Sequence, residues 1–179
     1  MSRVVLGVCG SAACFKAVSV ASALTRSGHE VDVVMTHAAT RLVTPLQFAA
    51  VTGRPALHDE WTPHDPGGMD HIALARGADL LLVCPATADR LAAFAHGHAP
   101  DLLGSLELAL PRRVPRVLVP AMNPTMWEHP RVRANVAALE ADGWRFVGPT
   151  AGLTACGDEG EGRMAEPAEV VAAVERLLR

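Results

Sequence analysis

Strand-length apolar runs that alternate with stretches of helical spacing are the feature that most constrains how this 179-residue chain can fold. The apolar runs are Val4–Cys9, Val31–Met35, Leu80–Cys84 and Val117–Val119. Helical spacing lies between them, as in Phe15–Ala23 and Val132–Leu139. Gly28 follows the first of these stretches at a position typical of a helix C-terminus. The alternation predicts an α/β fold: a doubly wound, Rossmann-like (flavodoxin-like) parallel sheet with helices on both faces.

Composition and charge limit the number of domains and the kinds of partner. Half of the residues are hydrophobic, so we expect one core and a single domain over residues 1–179. No apolar run approaches the roughly 20 residues of a membrane-spanning helix, and the first residues lack the pattern of a secretion signal. We therefore expect a cytoplasmic protein with no membrane partner. A net charge of −3 without a Lys/Arg-rich block argues against nucleic-acid binding.

The four cysteines predict free thiols rather than a disulfide framework or a zinc site. None of them forms a CxxC pair or has finger-like spacing with histidines, so we expect no metal site. Cys9 and Cys84 end apolar runs, which predicts that both are small buried hydrophobic residues. Cys156 lies in a glycine-rich, charged segment typical of a surface loop, which predicts an accessible thiol.

The segment after the first strand favours a bound phosphate. Ligands of doubly wound sheets gather beyond the carboxyl ends of the strands. Gly10, Ser11 and Ala12 lead from the first strand into a helix, where free N–H groups attract anions. A tight βα turn without a ligand is the alternative. The glycine spacing does not match G-x-G-x-x-G, and the second strand ends in Met35-Thr36 without a carboxylate, so a mononucleotide fits better than NAD.

Small and hydroxylic residues follow the third strand. Thr87, Ala88 and Asp89 would let a flat ring lie against the backbone. The same residues are equally typical of an ordinary helix N-terminus capped by Thr87 or Asp89. This segment alone does not distinguish a ring site from a capped helix.

An amide and a histidine are the other candidate site residues. Asn123 stands between Pro120 and Pro124, which stiffen the chain, and its amide could orient a carboxylate or simply form a polar turn. His71 lies in the helical stretch Met69–Arg76 and is a natural base for a thiol near neutral pH. Since the chain has eight histidines, a structural or solvated role for His71 is the alternative.

Together these segments resemble the homo-oligomeric, flavin-containing cysteine decarboxylases. That family holds phosphopantothenoylcysteine decarboxylases and the peptidyl-cysteine decarboxylases that act on lantibiotic-type precursor peptides. The resemblance covers nearly the whole chain. It rests on Gly10-Ser11 with Lys16, Asp70-His71-Ile72 with Arg76, Pro120-Ala121-Met122-Asn123 with Met126-Trp127, and Ala155-Cys156-Gly157-Asp158 with Gly160, Gly162-Arg163-Met164 and Pro167.

The resemblance implies FMN as the cofactor and assigns roles residue by residue. The flavin phosphate and ribityl chain would be held by Gly10, Ser11, Ala12 and Thr36. The ring would be lined by Thr87, Ala88 and Ala121, and Asp89 replaces the asparagine that is common in the family at a neighbouring contact. The substrate would be held by Asn123 and Met126 at its carboxylate, with Arg76 and Arg163. His71 would be the catalytic base, and Cys156 the acid of a later reductive step.

The implied reaction oxidises a cysteine at its β-carbon to a thioaldehyde, which loses carbon dioxide to give an enethiolate. The substrate would be phosphopantothenoylcysteine, or alternatively a peptide with a C-terminal cysteine. Family members form trimers or dodecamers with the flavin at a subunit interface, so His71 would serve a flavin held mainly by its neighbour. Flavin prenyltransferases and non-catalytic flavin-binding regulatory subunits share this fold and remain the second alternative.

Overall fold

The computed structural model describes residues 1–62, 64, 66–153 and 157–179. The strands in these ranges are β1 (Arg3–Val8), β2 (Glu30–Met35), β3 (Ala56–Leu57), β4 (Leu80–Ala86), β5 (Arg116–Pro120), β6 (Arg145–Phe146), β7 (Thr150–Leu153) and β8 (Glu159–Arg163). The helices are α1 (Cys14–Arg26), α2 (His37–Thr40), α3 (Pro45–Thr52), α4 (Asp70–Gly77), α5 (Ala88–Ala95), α6 (Leu102–Ala109), α7 (Pro124–Glu128), α8 (Pro130–Ala141) and α9 (Pro167–Leu177).

Six strands form one parallel sheet in the order β3-β2-β1-β4-β5-β6. The chain moves outward from β1 to β3 and then returns to place β4 on the other side of β1. The strand order therefore reverses between β1 and β4, and ligands of such sheets bind beyond the carboxyl ends at this point. The predicted doubly wound α/β fold is confirmed.

Helices cover both faces of the sheet, and each face has its own apolar core. On one face Val4, Leu6 and Val8 pack with α1, α3 and α9. On the other face Val5 and Leu81 pack with α4, α5, α6 and α8. The strands are hydrophobic along their length because both of their faces are buried, as expected of a covered parallel sheet. No described helix is both long enough and apolar enough to cross a membrane.

The central strands differ from the prediction at their ends. β1 stops at Val8, so Cys9 lies just beyond the strand. β4 continues past Cys84 through Pro85 to Ala86, although proline is a usual sign that a strand has ended. The backbone explains the extension, because the carbonyls of Pro85 and Ala86 accept hydrogen bonds from Cys9 (3.2 Å) and Ala121 (3.1 Å). Both buried thiols were predicted, and the structure confirms that Cys9 and Cys84 are buried.

The glycine-rich segment before the last helix is partly a strand, so predicting it as a surface loop was wrong for Glu159–Arg163. These residues pair with β7 in an antiparallel hairpin. Glycines allow β8 to approach the start of α7 closely: a β-carbon on Gly162 would lie 2.4 Å from the carbonyl oxygen of Met122. Cys156 lies outside the described residues, and its accessibility stays a prediction.

Candidate active site

A cavity of about 380 Å³, here called cavity 1, opens beyond the carboxyl ends of β1 and β5. Ser11 and Ala121 stand at those two strand ends, and the β7–β8 hairpin forms the opposite wall. The lining residues are Ser11, Ala12, Ala13, Phe15, Lys16, Ala121, Met122, Asn123, Met126, Leu153, Gly162, Arg163 and Met164. Most of these side chains are apolar, with one amide and two cations among them.

A second cavity of about 470 Å³, here called cavity 2, lies beyond the ends of β1, β2 and β4. Its lining is more polar than that of cavity 1: Cys9, Gly10, Thr36, His37, Ala38, Thr87, Asp89, Arg90, Pro100 and Asp101. The chain passes directly from cavity 2 at Gly10 to cavity 1 at Ser11, so the turn after β1 borders both. Both volumes fall in the range usual for cofactor and ligand sites.

The turn after β1 is shaped to let backbone reach a ligand. A β-carbon on Gly10 would lie only 2.5 Å from the β-carbon of Ala38, so the close approach of this turn to α2 requires glycine. The Ser11 hydroxyl accepts a hydrogen bond from the Ala13 N–H (3.3 Å) and donates one to the Ala121 carbonyl (3.4 Å). Ser11 thus links the turn to the end of β5 across cavity 1.

Asn123 has a fixed orientation at the start of α7. Its side-chain oxygen accepts a hydrogen bond from the Thr125 N–H (2.8 Å), which caps the helix. The side-chain NH₂ group is therefore free to point away from the helix, and it donates to a carboxylate oxygen of Asp158. The helix start positions Asn123 as a donor to a carboxylate, and its role toward a substrate carboxylate stays a prediction.

The β7–β8 hairpin is attached to the Asn123 segment through the backbone. The Met122 N–H donates to the Gly162 carbonyl (3.0 Å), and Gly160 would meet Pro124 at 2.9 Å if it carried a β-carbon. The two glycines of β8 therefore allow this strand to contact the start of α7. This contact places Arg163 and Met164 in the wall of cavity 1.

Two cations of cavity 1 share one carboxylate. Glu166 accepts a hydrogen bond from the Lys16 ammonium (3.0 Å) and another from the Arg163 guanidinium. These two hydrogen bonds hold the pKa of Glu166 below its ordinary value. The three groups connect α1, β8 and the start of α9, and together they carry one net positive charge at the edge of cavity 1.

Cavity 2 contains a partly buried ion pair that the sequence did not indicate. Both nitrogens of the Arg90 fork donate to Asp101, which also accepts from the Gly104 N–H (3.0 Å) and caps α6. Thr36 and Thr87 cap α2 and α5 with their hydroxyls. Cys9 lies next to Arg90, and burial raises the pKa of its thiol to about 12, so this cysteine stays protonated near neutral pH.

The structure brings ten of the fourteen predicted site residues to the two cavities. Cavity 1 holds Ser11, Ala12, Ala121, Asn123, Met126 and Arg163. Cavity 2 holds Gly10, Thr36, Thr87 and Asp89. The structure thus groups Thr87 with Gly10 and Thr36 rather than with Ala121.

The remaining predicted residues lie elsewhere. Ala88 starts α5 and packs on the core. In the described part of the chain, His71 and Arg76 on α4 line neither cavity 1 nor cavity 2. The fourteenth residue, Cys156, is not among the described residues.

Sequence reasoning missed three residues of the site region. Arg90 and Asp101 are 11 residues apart and meet only through the fold, so no local pattern indicated their pairing. Asp158 belongs to one of the motifs on which the family resemblance rests, but no role was predicted for it. Its contact with Asn123 joins positions 35 residues apart, which no local pattern indicates.

Comparisons with known proteins show the family to which the chain belongs. The family model described as Flavoprotein matches residues 1–179, and the chain belongs to the flavoprotein family. The chain is 38% identical over 176 residues to a probable phosphopantothenoylcysteine decarboxylase of Streptococcus mutans, covering 98% of each protein. It is 43% identical to the coenzyme A biosynthesis bifunctional protein CoaBC of Vibrio cholerae, of which it spans 44%.

Solved structures give the same result. A mutant PPC decarboxylase complexed with pantothenoylaminoethenethiol superposes with a TM-score of 0.87 at 30% identity, over 98% of this chain and 97% of that one. The FMN-dependent cysteine decarboxylase SpaF superposes with a TM-score of 0.84 at 36% identity, over 99% and 95% of the chains. These likenesses confirm the family that the sequence motifs indicated.

Proposed function

We propose that this chain is an FMN-dependent decarboxylase that acts oxidatively on a cysteine carboxylate, in the manner of phosphopantothenoylcysteine decarboxylase. One observation carries the proposal: the Asn123 amide, oriented by its own helix cap, presents a carboxylate-binding donor in a cavity beyond the carboxyl ends of β1 and β5. The full-length likeness to a probable phosphopantothenoylcysteine decarboxylase supports the same reaction.

The two cavities suit the two parts of FMN. Cavity 2 offers the Thr36 and Thr87 hydroxyls and the start of α5 to the polar ribityl phosphate, and Arg90 neutralises Asp101 beside them. Cavity 1 offers small residues at Ser11, Ala12 and Ala121, against which a flat ring can lie. Gly10 stands between the cavities, where a side chain would collide with Ala38. The residues present therefore fit a mononucleotide that extends from one cavity into the other.

Each residue has a defined task in this reaction. FMN, when bound, supplies the hydride acceptor that makes the β-carbon of the cysteine oxidisable. Asn123 holds the substrate carboxylate in place, and Met126 packs beside it in cavity 1. His71 removes the thiol proton as the sulfur becomes a thioaldehyde. Carbon dioxide then leaves and an enethiolate remains. For the saturated product, Cys156 donates a proton in the reductive step, in which the flavin reduced earlier would return the hydride.

We place His71 at the site of a neighbouring subunit in a homo-oligomer, either a trimer or a dodecamer. The position of α4 supports this, because in the described part of its own chain His71 lines neither cavity 1 nor cavity 2. Arg76, on the same helix, would reach the substrate in the same way. A cytoplasmic location and one decarboxylase domain over residues 1–179 belong to this proposal.

A peptide with a C-terminal cysteine is the second candidate substrate. The observation that favours it is the 36% identity to SpaF over 99% of this chain, which is close to the 38% identity to the probable phosphopantothenoylcysteine decarboxylase. The excess positive charge of Lys16 and Arg163 over Glu166 favours the phosphorylated substrate instead.

Mass spectrometry of both substrates tests the proposal. The flavin-loaded protein is incubated with phosphopantothenoylcysteine and, separately, with a peptide that ends in cysteine. We expect the first to lose about 44 mass units as carbon dioxide; loss of about 46 from the peptide alone, carbon dioxide plus two hydrogens, would assign the peptide reaction instead. No loss from either substrate would contradict decarboxylation and favour a flavin prenyltransferase or a regulatory flavin-binding subunit.

A further inference from the structure

A carboxylate of the chain itself occupies the donor assigned to the substrate. The Asn123 NH₂ group donates to Asp158, which lies just before β8. The Asn123 oxygen is held by the Thr125 N–H, so the amide cannot turn away without losing its helix cap. The available donor faces Asp158.

Backbone contacts of the hairpin hold Asp158 in this position. Gly160 contacts Pro124, and Gly162 accepts a hydrogen bond from the Met122 N–H, so the backbone on one side of Asp158 is attached to the segment on both sides of Asn123. Asp158 itself is exposed at its outer side. An exposed carboxylate can leave toward water at a modest cost, because water solvates it when the hydrogen bond breaks.

We propose that Asp158 is a specificity-determining residue that stands in for the substrate carboxylate and must be displaced by it. This inference rests on the proposed function, which assigns the substrate carboxylate to Asn123. Only a ligand with its own carboxylate replaces the charge-assisted hydrogen bond that Asp158 gives up. A neutral ligand of the same shape does not displace Asp158 from the Asn123 NH₂ group.

The same competition favours release of product. The substrate loses its carboxylate as carbon dioxide, and the product then has no group that competes for Asn123. Asp158 returns to the amide and excludes the product from that position. Asp158 takes no part in bond making or breaking, so it is a positioning residue rather than a catalytic one.

Equilibrium binding of two matched probes tests the inference. The probes are N-acetylserine, whose hydroxyl replaces the reactive thiol, and N-acetylserinamide, which has the same shape without the charge. Dissociation constants are measured from the change in flavin absorbance of the loaded protein. The proteins are the unchanged chain, Asp158→Asn and the control Glu159→Gln, which removes the same charge from the adjacent position.

We expect Asp158→Asn to bind N-acetylserine about three- to tenfold more tightly, because a weaker hydrogen bond must be displaced. Binding of N-acetylserinamide should not change, and Glu159→Gln should behave like the unchanged protein. Equal tightening of both probes, equal tightening by Glu159→Gln, or no binding of N-acetylserine to either protein would each overturn the inference.

Crystal structures with and without N-acetylserine supply a second readout that needs no turnover. We expect the probe carboxylate on the Asn123 NH₂ group, with Asp158 moved away. A bound probe that leaves Asp158 on Asn123 would overturn the inference. Neither experiment requires decarboxylation. If the protein fails the mass-spectrometry test but shows this exchange, the proposed function is wrong and the carboxylate exchange still holds.

Discussion

Arg90 and Asp101 form a forked ion pair in the wall of cavity 2, with Nη1–Oδ1 at 3.1 Å and Nη2–Oδ2 at 2.5 Å. The Arg90 side chain is only 3% exposed, and its guanidinium also lies over the Phe94 ring at 5.3 Å. Asp101 caps α6 through the Gly104 N–H. One buried cation thus neutralises a carboxylate and connects two helices at the proposed phosphate end of the flavin.

We expect Arg90→Met to lower the free energy of unfolding by about 2 kcal/mol, because Asp101, which is 30% exposed, loses its charged partner and keeps only the Gly104 N–H. It should also weaken FMN binding more than riboflavin binding, since Asp89 and Asp101 would then repel the phosphate. Urea denaturation and fluorescence titration with both flavins check this. Arg131→Met, at an exposed position of α8, is the control; a loss of riboflavin affinity equal to that for FMN would contradict the phosphate assignment.

Gly162→Ala should separate the hairpin from the Asn123 segment. The added β-carbon would lie 2.4 Å from the Met122 carbonyl oxygen, so one of the two backbones must move. We expect kcat/KM to fall by about 100-fold with flavin still bound, because displacements of this size misplace the substrate. Glu161→Ala changes an exposed residue of the same strand and should retain activity. Full activity of Gly162→Ala would show that the hairpin contact does not position the site.

The Glu166 contacts predict a loss of stability in acid. Because Lys16 and Arg163 hold the pKa of Glu166 below its ordinary 4.5, the carboxylate stabilises the fold above that value. This contribution disappears as the pH falls through the lowered pKa, where the folded form takes up the proton. Denaturation midpoints of the unchanged protein and Glu166→Gln should therefore differ at pH 7 and converge in acid. A difference that stays constant with pH would contradict the charge-dependent contact.

Sequence patterns predicted the four central strands of the sheet, and most of the predicted site residues line the cavities, because those features are local. The buried strands are continuous apolar runs, and the ligand-facing residues follow them directly, as with Ser11 after β1 and Asn123 after β5. β8 was not predicted, because its pairing depends on backbone contacts and close approach at Gly160 and Gly162 rather than on apolar side chains.

Two other features were beyond sequence reasoning for a related reason. Arg90 would be read as a surface residue of a short helix, and only the fold brings Asp101 to it. No local pattern indicates which site His71 serves, since the residue lies on a helix before the third long apolar run and not at a strand end. Its place at a neighbouring subunit is expected from the family resemblance alone and stays a prediction. Contacts between distant positions, or between subunits, leave no periodic signal in the chain.

Complementation between inactive variants tests whether His71 serves a neighbouring subunit. His71→Asn and Asn123→Ala chains with different tags are expressed together, and oligomers that carry both tags are purified. We expect these mixed oligomers to regain activity, because some sites combine an intact His71 with an intact Asn123. Oligomers of either variant alone should remain inactive. Mixed oligomers without activity would show that both residues must belong to one chain.

The most direct test of the central claim is release of labelled carbon dioxide from phosphopantothenoylcysteine that carries ¹³C in its carboxyl group. The flavin-loaded protein should release the label as carbon dioxide, and Asn123→Ala should do so at least about 100-fold more slowly with its flavin spectrum unchanged, since a positioned carboxylate is worth that much. No labelled carbon dioxide from the unchanged protein, or undiminished release from Asn123→Ala, would contradict the account.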